Sequence, residues 1–201
     1  MQVIEISIQS MLKEKTSHLI QVSTVDLNIS IKALFLDRDG VINVDHGYVN
    51  KIKDFTFNDN IFELLHLFIQ NNYKLFIVTN QSGIGREYYS LDDFEILTKW
   101  MLEEFKKRDI KIEEVKFCQH APEVKCNCRK PATGMINDIL KDYKIDLEAS
   151  YMIGDKQSDI DLAHNAKIGH TIAIGERVIE NSNYHFKTIS ECYKFMTHEP
   201  L

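Results

Sequence analysis

Short apolar runs rich in β-branched and aromatic residues recur at residues 32–37, 73–79, 115–119, 151–154 and 170–174, and between them the chain changes to helical periodicity. Runs of this length and composition read as strands buried on both faces, the usual appearance of parallel strands. Ile61, Leu64, Leu65, Phe68 and Ile69 share one helical face, as do Phe94, Leu97, Met101, Leu102 and Phe105, with Asp92 near the start of that second helix. Shorter helices are expected at 134–143 and 158–165. Parallel neighbours need a crossover of about a dozen residues or more, so the alternation specifies an α/β fold on an open parallel sheet. Ligands of such sheets gather at the carboxyl ends of the strands. Polar residues concentrate at three of those ends, 37–40, 79–82 and 154–159.

With 201 residues and 44% apolar content, the chain can bury one sizeable core and is short for two full domains. Lys plus Arg number 24 against 30 for Asp plus Glu, a net charge of -6, so no global field draws the protein to nucleic acid or to an anionic membrane. An anionic substrate must be met by local basic residues. No apolar run reaches the ~18 to 20 residues of a membrane span, and the first thirty residues lack signal-peptide order, so a cytoplasmic protein is expected; the chain is separately expected to be a monomer. Residues 1–30 carry no motif and stand outside the alternation; they are expected to be an N-terminal extension of unknown role, with the domain proper over 31–201.

Asp37-Arg38-Asp39-Gly40 ends an apolar strand with two carboxylates two positions apart. Alone, that pattern is as readily a turn as a site. Thr79-Asn80 closes a second strand, Arg129-Lys130-Pro131 follows, and Gly154-Asp155 with Asp159 closes another, and together these have a chemical logic. A carboxylate nucleophile accepts a phosphoryl group only if the two negative charges are offset, which calls for a divalent cation bridging both. Asp37 and Asp155, with the carbonyl of Asp39, suit Mg2+, which prefers oxygen ligands and keeps waters. The Asp39 side chain is the natural general acid and base. The Thr79 hydroxyl and Lys130 ammonium would hold the equatorial phosphoryl oxygens.

Cys118, His120, Cys126 and Cys128 fall within eleven residues, whereas Cys192 stands alone. Three thiolates and an imidazole make a closed structural Zn2+ shell. A Cys126–Cys128 disulfide, which would be strained, and free thiols are the other readings; four zinc-type ligands so close together seldom coincide, which favours zinc. Cys192 and Trp100 read as packing residues. The spacing of Asp45-His46-Gly47-Tyr48 favours a polar turn at Gly47. Lys156, directly after Asp155, is expected near phosphate; Arg86 could reach a second phosphate, and Asp159 could cap a helix or, the preferred reading, support the magnesium shell.

These segments resemble the haloacid dehalogenase (HAD) superfamily and, within it, the heptose bisphosphate phosphatases. The resemblance spans roughly residues 32 to 175 and is strongest in 37–40, 43–49, 79–84, 128–131 and 154–156. It implies a HAD-like Rossmannoid sheet with helices on both faces, a minimal cap and a zinc-binding loop. It makes Asp37 the nucleophile, Asp39 the acid/base, Asp155 a magnesium ligand, and Thr79 and Lys130 phosphoryl stabilisers. Arg129 would recognise the rest of a small sugar bisphosphate in nucleotide-activated heptose biosynthesis, Asp45, His46, Gly47 and Tyr48 would face the sugar, and Asn80, Gln81, Ser82 and Lys156 would complete the substrate side. Val41 departs from the Thr that many members carry, with loop rigidity the property at stake. A histidinol-phosphate phosphatase would share the catalytic set but not the 43–49 run; a zinc-stabilised binding module without catalysis is opposed by the presence of every catalytic carboxylate. Short connections leave no room for a large lid, so the site should be open.

Overall fold

The computed structural model describes residues 30–198, and the expected extension over 1–30 lies, apart from Ser30, outside the described residues. Its sheet contains β1 (Ile31–Leu36), β2 (Tyr73–Asn80), β3 (Ile112–Cys118), β4 (Ile145–Gly154), β5 (His170–Ile174) and β6 (Tyr184–Phe186), in spatial order β3-β2-β1-β4-β5-β6. Every neighbouring pair is parallel. The first three strands progress to one side of β1, and the chain then crosses to place β4 on the other. The reversal leaves a crevice at the carboxyl ends of β1 and β4, where ligands of open α/β sheets bind.

The helices are α1 (Ile61–Gln70), α2 (Ser82–Gly85), α3 (Leu91–Lys106), α4 (Gly134–Asp142), α5 (Gln157–Ala166) and α6 (Ile189–Met196), with a short 3-10 turn at Ile52–Asp54. Successive strand residues point to opposite faces, so the apolar runs feed two cores. Leu34, Leu36, Leu75, Ile77, Tyr151 and Ile153 pack with Leu64, Leu65 and Phe68 of α1, Met101 and Phe105 of α3, and Cys192 of α6. Ala33, Phe35, Phe76, Val78 and Met152 pack on the other face with Ile136 and Ile139 of α4 and Leu162 and Ala163 of α5. Cys192 is fully buried, and Trp100 stacks its edge on Phe55, 5.4 Å between centroids.

Several boundaries differ from the sequence expectation. Strand β4 begins at Ile145, because residues 145–146 pair with β1 before a register irregularity and Tyr151 resumes the pairing. Strand β3 begins at Ile112 and ends at Cys118; its early residues are only half-buried, since it is an edge strand. Helix α3 is capped by Ser90, whose hydroxyl accepts from the Asp93 amide while Asp93 accepts from the Ser90 amide, so Asp92 lies in the first turn and is not the cap. β6 and α6 escape a periodicity reading, the former for its three residues and the latter for its two turns.

Candidate active site

The loop after β1 folds back on itself: the Arg38 carbonyl accepts from the amides of Ile42 and Asn43, and Gly40 donates to the Asn43 carbonyl. The Asn58 side-chain amide braces the loop from outside by donating to the carbonyls of Gly40 and Val41. Val41, the departure from the Thr pattern, is wholly buried in the main core, so apolar packing holds the loop at this position. Gly40 has φ +87°, and a Cβ there would lie 2.5 Å from Asp155 Cγ. The residue is glycine because the β1 loop and Asp155, directly after β4, approach too closely for any side chain. Gly40→Ala is expected to destabilise the fold by about 1–3 kcal/mol and to displace Asp155, measured as a lower melting temperature together with lost activity.

Asp37 is buried at the end of β1, where its Oδ1 accepts from the Arg38 amide at 2.7 Å and lies 3.1 Å from Lys130 Nζ. Lys130 is equally buried; its ammonium also reaches Asp159 Oδ1 at 2.7 Å and donates to the Val78 carbonyl at 2.8 Å. Burial alone would push the Asp37 carboxyl up, but the ammonium groups of Lys130 and Lys156 overcome it and hold the group below the ordinary carboxylate range. Burial works against the Lys130 charge as well, and Asp159 and Asp37 outweigh it, keeping the ammonium protonated. Asn80 fixes this lysine from β2: its Oδ1 accepts from the Lys130 amide, and its Nδ2 donates to the Lys130 carbonyl.

Asp155, at the end of β4, brings a carboxylate oxygen within 4.8 Å of one from Asp37 and one from Asp159. Burial pushes Asp155 up to about 6; Lys156 opposes the shift, and the charges of Asp37 and Asp159 add to it. Its buried Oδ1 accepts no hydrogen bond, although the Lys156 ammonium lies 3.3 Å away, and Arg177 Nη1 donates to its Oδ2 at 3.0 Å. Crowded, under-satisfied oxygens on hard donors fit a magnesium ion. Asp159 stands where both sequence readings put it, beside the carboxylates of Asp37 and Asp155 and at the start of α5. Its Oδ2 accepts from the Lys156 amide at the start of α5, and its Oδ1 holds Lys130, so it caps the helix and pins the lysine.

The Asp39 carboxylate is held by donors from three residues: Arg38 Nη2 at 2.9 and 2.8 Å, Asn43 Nδ2 at 3.1 Å and Gln81 Nε2 at 2.9 Å. Gln81 is keyed in turn by Tyr89, whose hydroxyl donates to its Oε1 at 2.6 Å, so that its amide nitrogen also reaches Thr79 Oγ1 at 3.0 Å. Thr79 thus accepts from Gln81 and keeps its own proton to donate.

A cleft of about 300 Å³ opens over this assembly, lined by Asp37, Asp39, Asp45, Gly47, Tyr48, Asn80, Gln81, Ser82, Tyr89, Arg129, Lys130, Lys156 and Ser158. Lys156 Nζ lies 3.5 Å from Asp45 Oδ2, linking α5 to the 45–48 stretch. His46 lines a neighbouring polar hollow instead, and Arg86 pairs with exposed Glu123 at 3.2 Å rather than facing the cleft. Tyr89, Asn43 and Arg177 did not stand out in the sequence. Tyr89 and Arg177 sit outside every motif, and Asn43 opened a quoted segment without a task of its own.

The second cluster joins the end of β3 to the loop that follows. Cys118 Sγ lies 3.1 Å from Cys128 Sγ and 3.7 Å from Cys126 Sγ; His120 Nδ1 is 3.5 Å from Cys118 Sγ and 3.3 Å from Cys128 Sγ. A tetrahedral zinc shell with Zn–S near 2.3 Å requires sulfur separations of about 3.8 Å, which the Cys118–Cys126 pair meets, while Cys128 sits closer to Cys118 than a bound ion would hold it. All four cysteines are free thiols, which removes the Cys126–Cys128 disulfide, and the cluster can hold a metal ion.

The sheet order, the aspartates at its switch point and the buried lysine define a phosphoric monoester hydrolase of the haloacid dehalogenase class. Residues 127–175 match the HAD-hydrolase-like family model. The D,D-heptose 1,7-bisphosphate phosphatase of B. bronchiseptica, solved with magnesium and phosphate, shares the fold at a TM-score of 0.73 and 22% identity over 85% of this chain and 100% of that one. The D-glycero-alpha-D-manno-heptose-1,7-bisphosphate 7-phosphatase of Campylobacter jejuni is 46% identical over 171 residues, 85% of this chain and 98% of that protein. The Helicobacter pylori beta-anomer enzyme is 49% identical over 144 residues, 71% of this chain and 83% of its own. The chain belongs to the D-glycero-D-manno-heptose-1,7-bisphosphate 7-phosphatase family. Among the described residues, no helix is long and apolar enough to cross a membrane.

Proposed function

We propose that the protein removes the C7 phosphate of D-glycero-D-manno-heptose 1,7-bisphosphate, leaving heptose 1-phosphate, as a cytoplasmic monomer serving nucleotide-activated heptose biosynthesis. The observation that carries this reading is the buried Asp37–Lys130 pair, 3.1 Å apart, at the sheet's switch point beside Asp155. The Asp37 Oδ1 is held by the Arg38 amide and Lys130, so attack on phosphorus falls to Oδ2. Asp37 and Asp155, with the Asp39 carbonyl, would hold Mg2+, which supplies charge neutralisation between the attacking carboxylate and the phosphate.

As the Asp37–phosphorus bond forms and the C7 oxygen–phosphorus bond breaks, Asp39 gives its proton to the leaving alkoxide. In the second half, Asp39 takes a proton from the water that attacks the aspartyl phosphate, and inorganic phosphate leaves with Asp37 restored. Thr79 donates its hydroxyl proton, and Lys130 its charge, to the equatorial oxygens. Arg129, Asp45, Gly47 and Tyr48 meet the sugar and the remaining phosphate. Zinc in the Cys118, His120, Cys126 and Cys128 cluster would fix the loop that presents Arg129 and Lys130; free thiols at such a site suit a reducing cytoplasm.

A primary phosphate can enter an open cleft down to Asp37, whereas the ring-borne phosphate cannot do so without burying the sugar. Phosphorus NMR of the product, run with both anomers of the bisphosphate, should therefore show loss of the C7 signal and retention of the C1 signal. Retention of the C7 phosphate would refute the regiochemistry.

A further inference from the structure

Arg38 has no task in this scheme, yet it is only 1% exposed, one of the largest side chains to be so deeply buried. Its guanidinium lies over the Phe94 ring, 5.8 Å from the centroid. Burying a guanidinium carries a large desolvation cost, and one pairing with a sequence neighbour does not require it.

One nitrogen makes all of its side-chain hydrogen bonds. Nη2 donates to both oxygens of Asp39 and, at 2.7 Å, to the Val49 carbonyl, while the buried Nε and Nη1 meet no acceptor among the described residues. Nη2 carries two N–H bonds, so one spans the carboxylate and the other reaches the loop. Val49 directly follows the stretch that lines the cleft, and Tyr48 within it holds a left-handed φ of 53°. A strained backbone persists only where its surroundings over-determine it, and the Arg38–Val49 contact supplies part of that.

We propose that Arg38 is a positioning residue, a buried strut that fixes the Asp39 carboxylate and holds the 45–48 stretch in register with it. The proposal rests on the reading of Asp39 as acid and base. The two N–H bonds of Nη2 lie in the guanidinium plane and are aimed at the two acceptors, whereas the shorter lysine side chain ends short of that nitrogen and its ammonium rotates freely.

Arg38→Met is expected to lower kcat on the bisphosphate by roughly a hundredfold, a share of what general acid–base catalysis contributes, and to raise KM severalfold. Hydrogen exchange should accelerate over amides 44–50 and stay unchanged in the central strands. In an Asp39→Asn background the same substitution should change kcat by less than about twofold, because its catalytic effect passes through Asp39. If the methionine variant does not fold, Arg38→Lys carries the same comparisons, with partial recovery of kcat and continued loss of protection at 44–50. Multiplying losses in the double variant, or unchanged exchange at 44–50, would overturn the strut. If the wild-type enzyme left the heptose bisphosphate untouched, the substrate reading would fall, while the cycle run with an activated aryl phosphate would still read the coupling of Arg38 to Asp39.

Discussion

Asp37→Asn is expected to abolish turnover, by on the order of 10⁴-fold or more, while leaving the fold in place. The amide cannot attack phosphorus, and its weaker oxygen is a poorer partner for magnesium. The fold should survive because of the local charge balance. Asp37, Asp155 and Asp159 crowd around Lys130 and Lys156, so removing one carboxylate relieves repulsion at Asp155 and leaves Lys130 its 2.7 Å contact with Asp159. Circular dichroism and thermal unfolding should match the wild type within a few degrees. Near wild-type phosphate release by this variant would sink the assignment of the nucleophile, and its failure to label with phosphate in a quench experiment would support it.

Replacing a cysteine of the second cluster should act on both stability and rate. In Cys118→Ser or Cys126→Ser the zinc content should fall from about one per chain toward zero, because a neutral hydroxyl is a poor substitute for one of the thiolates of a closed four-ligand site. Cys118 is fully buried at the end of β3, and burial pushes its thiol up to about 12, so without a metal the cluster keeps that sulfur protonated. Catalysis follows through the backbone. Cys128 directly precedes Arg129 and Lys130, and Lys130 is the ammonium 3.1 Å from Asp37. A phosphoryl stabiliser displaced by about 1 Å can forfeit on the order of a hundredfold in rate. Elemental analysis, melting temperature and kcat at saturating magnesium should therefore fall together. Full activity and stability in a zinc-free variant would show the cluster to be incidental.

Much of the molecule was legible before any coordinate. The apolar runs at 32–37, 73–79 and 170–174 fall on strands within a residue or so, because fully buried parallel strands write themselves as continuous hydrophobic segments. The acidic residues after β1 and β4 marked themselves by interrupting those runs, and the cysteine cluster by its density. Other features depended on the order of strands, which no local pattern encodes. Placing β4 against β1 brings Asp155 within contact of Gly40, 115 positions earlier in the chain, and makes that glycine obligatory. Lys130 reaches Asp37 only because Asn80, at the end of β2, clamps its backbone. Gln81, expected on the substrate side, does line the cleft, but its near-complete burial and the commitment of its amide to Asp39, Thr79 and Tyr89 follow only from the tertiary structure. Arg38 sat in plain view between two aspartates, and its burial could not be inferred, since alternation after a strand end no longer assigns a side chain to a face. Periodicity determines which residues form an element and which side they bury; the pairing of charges and the aim of buried polar groups are settled where elements distant in sequence meet, because those contacts satisfy desolvated groups that no neighbour along the chain can reach.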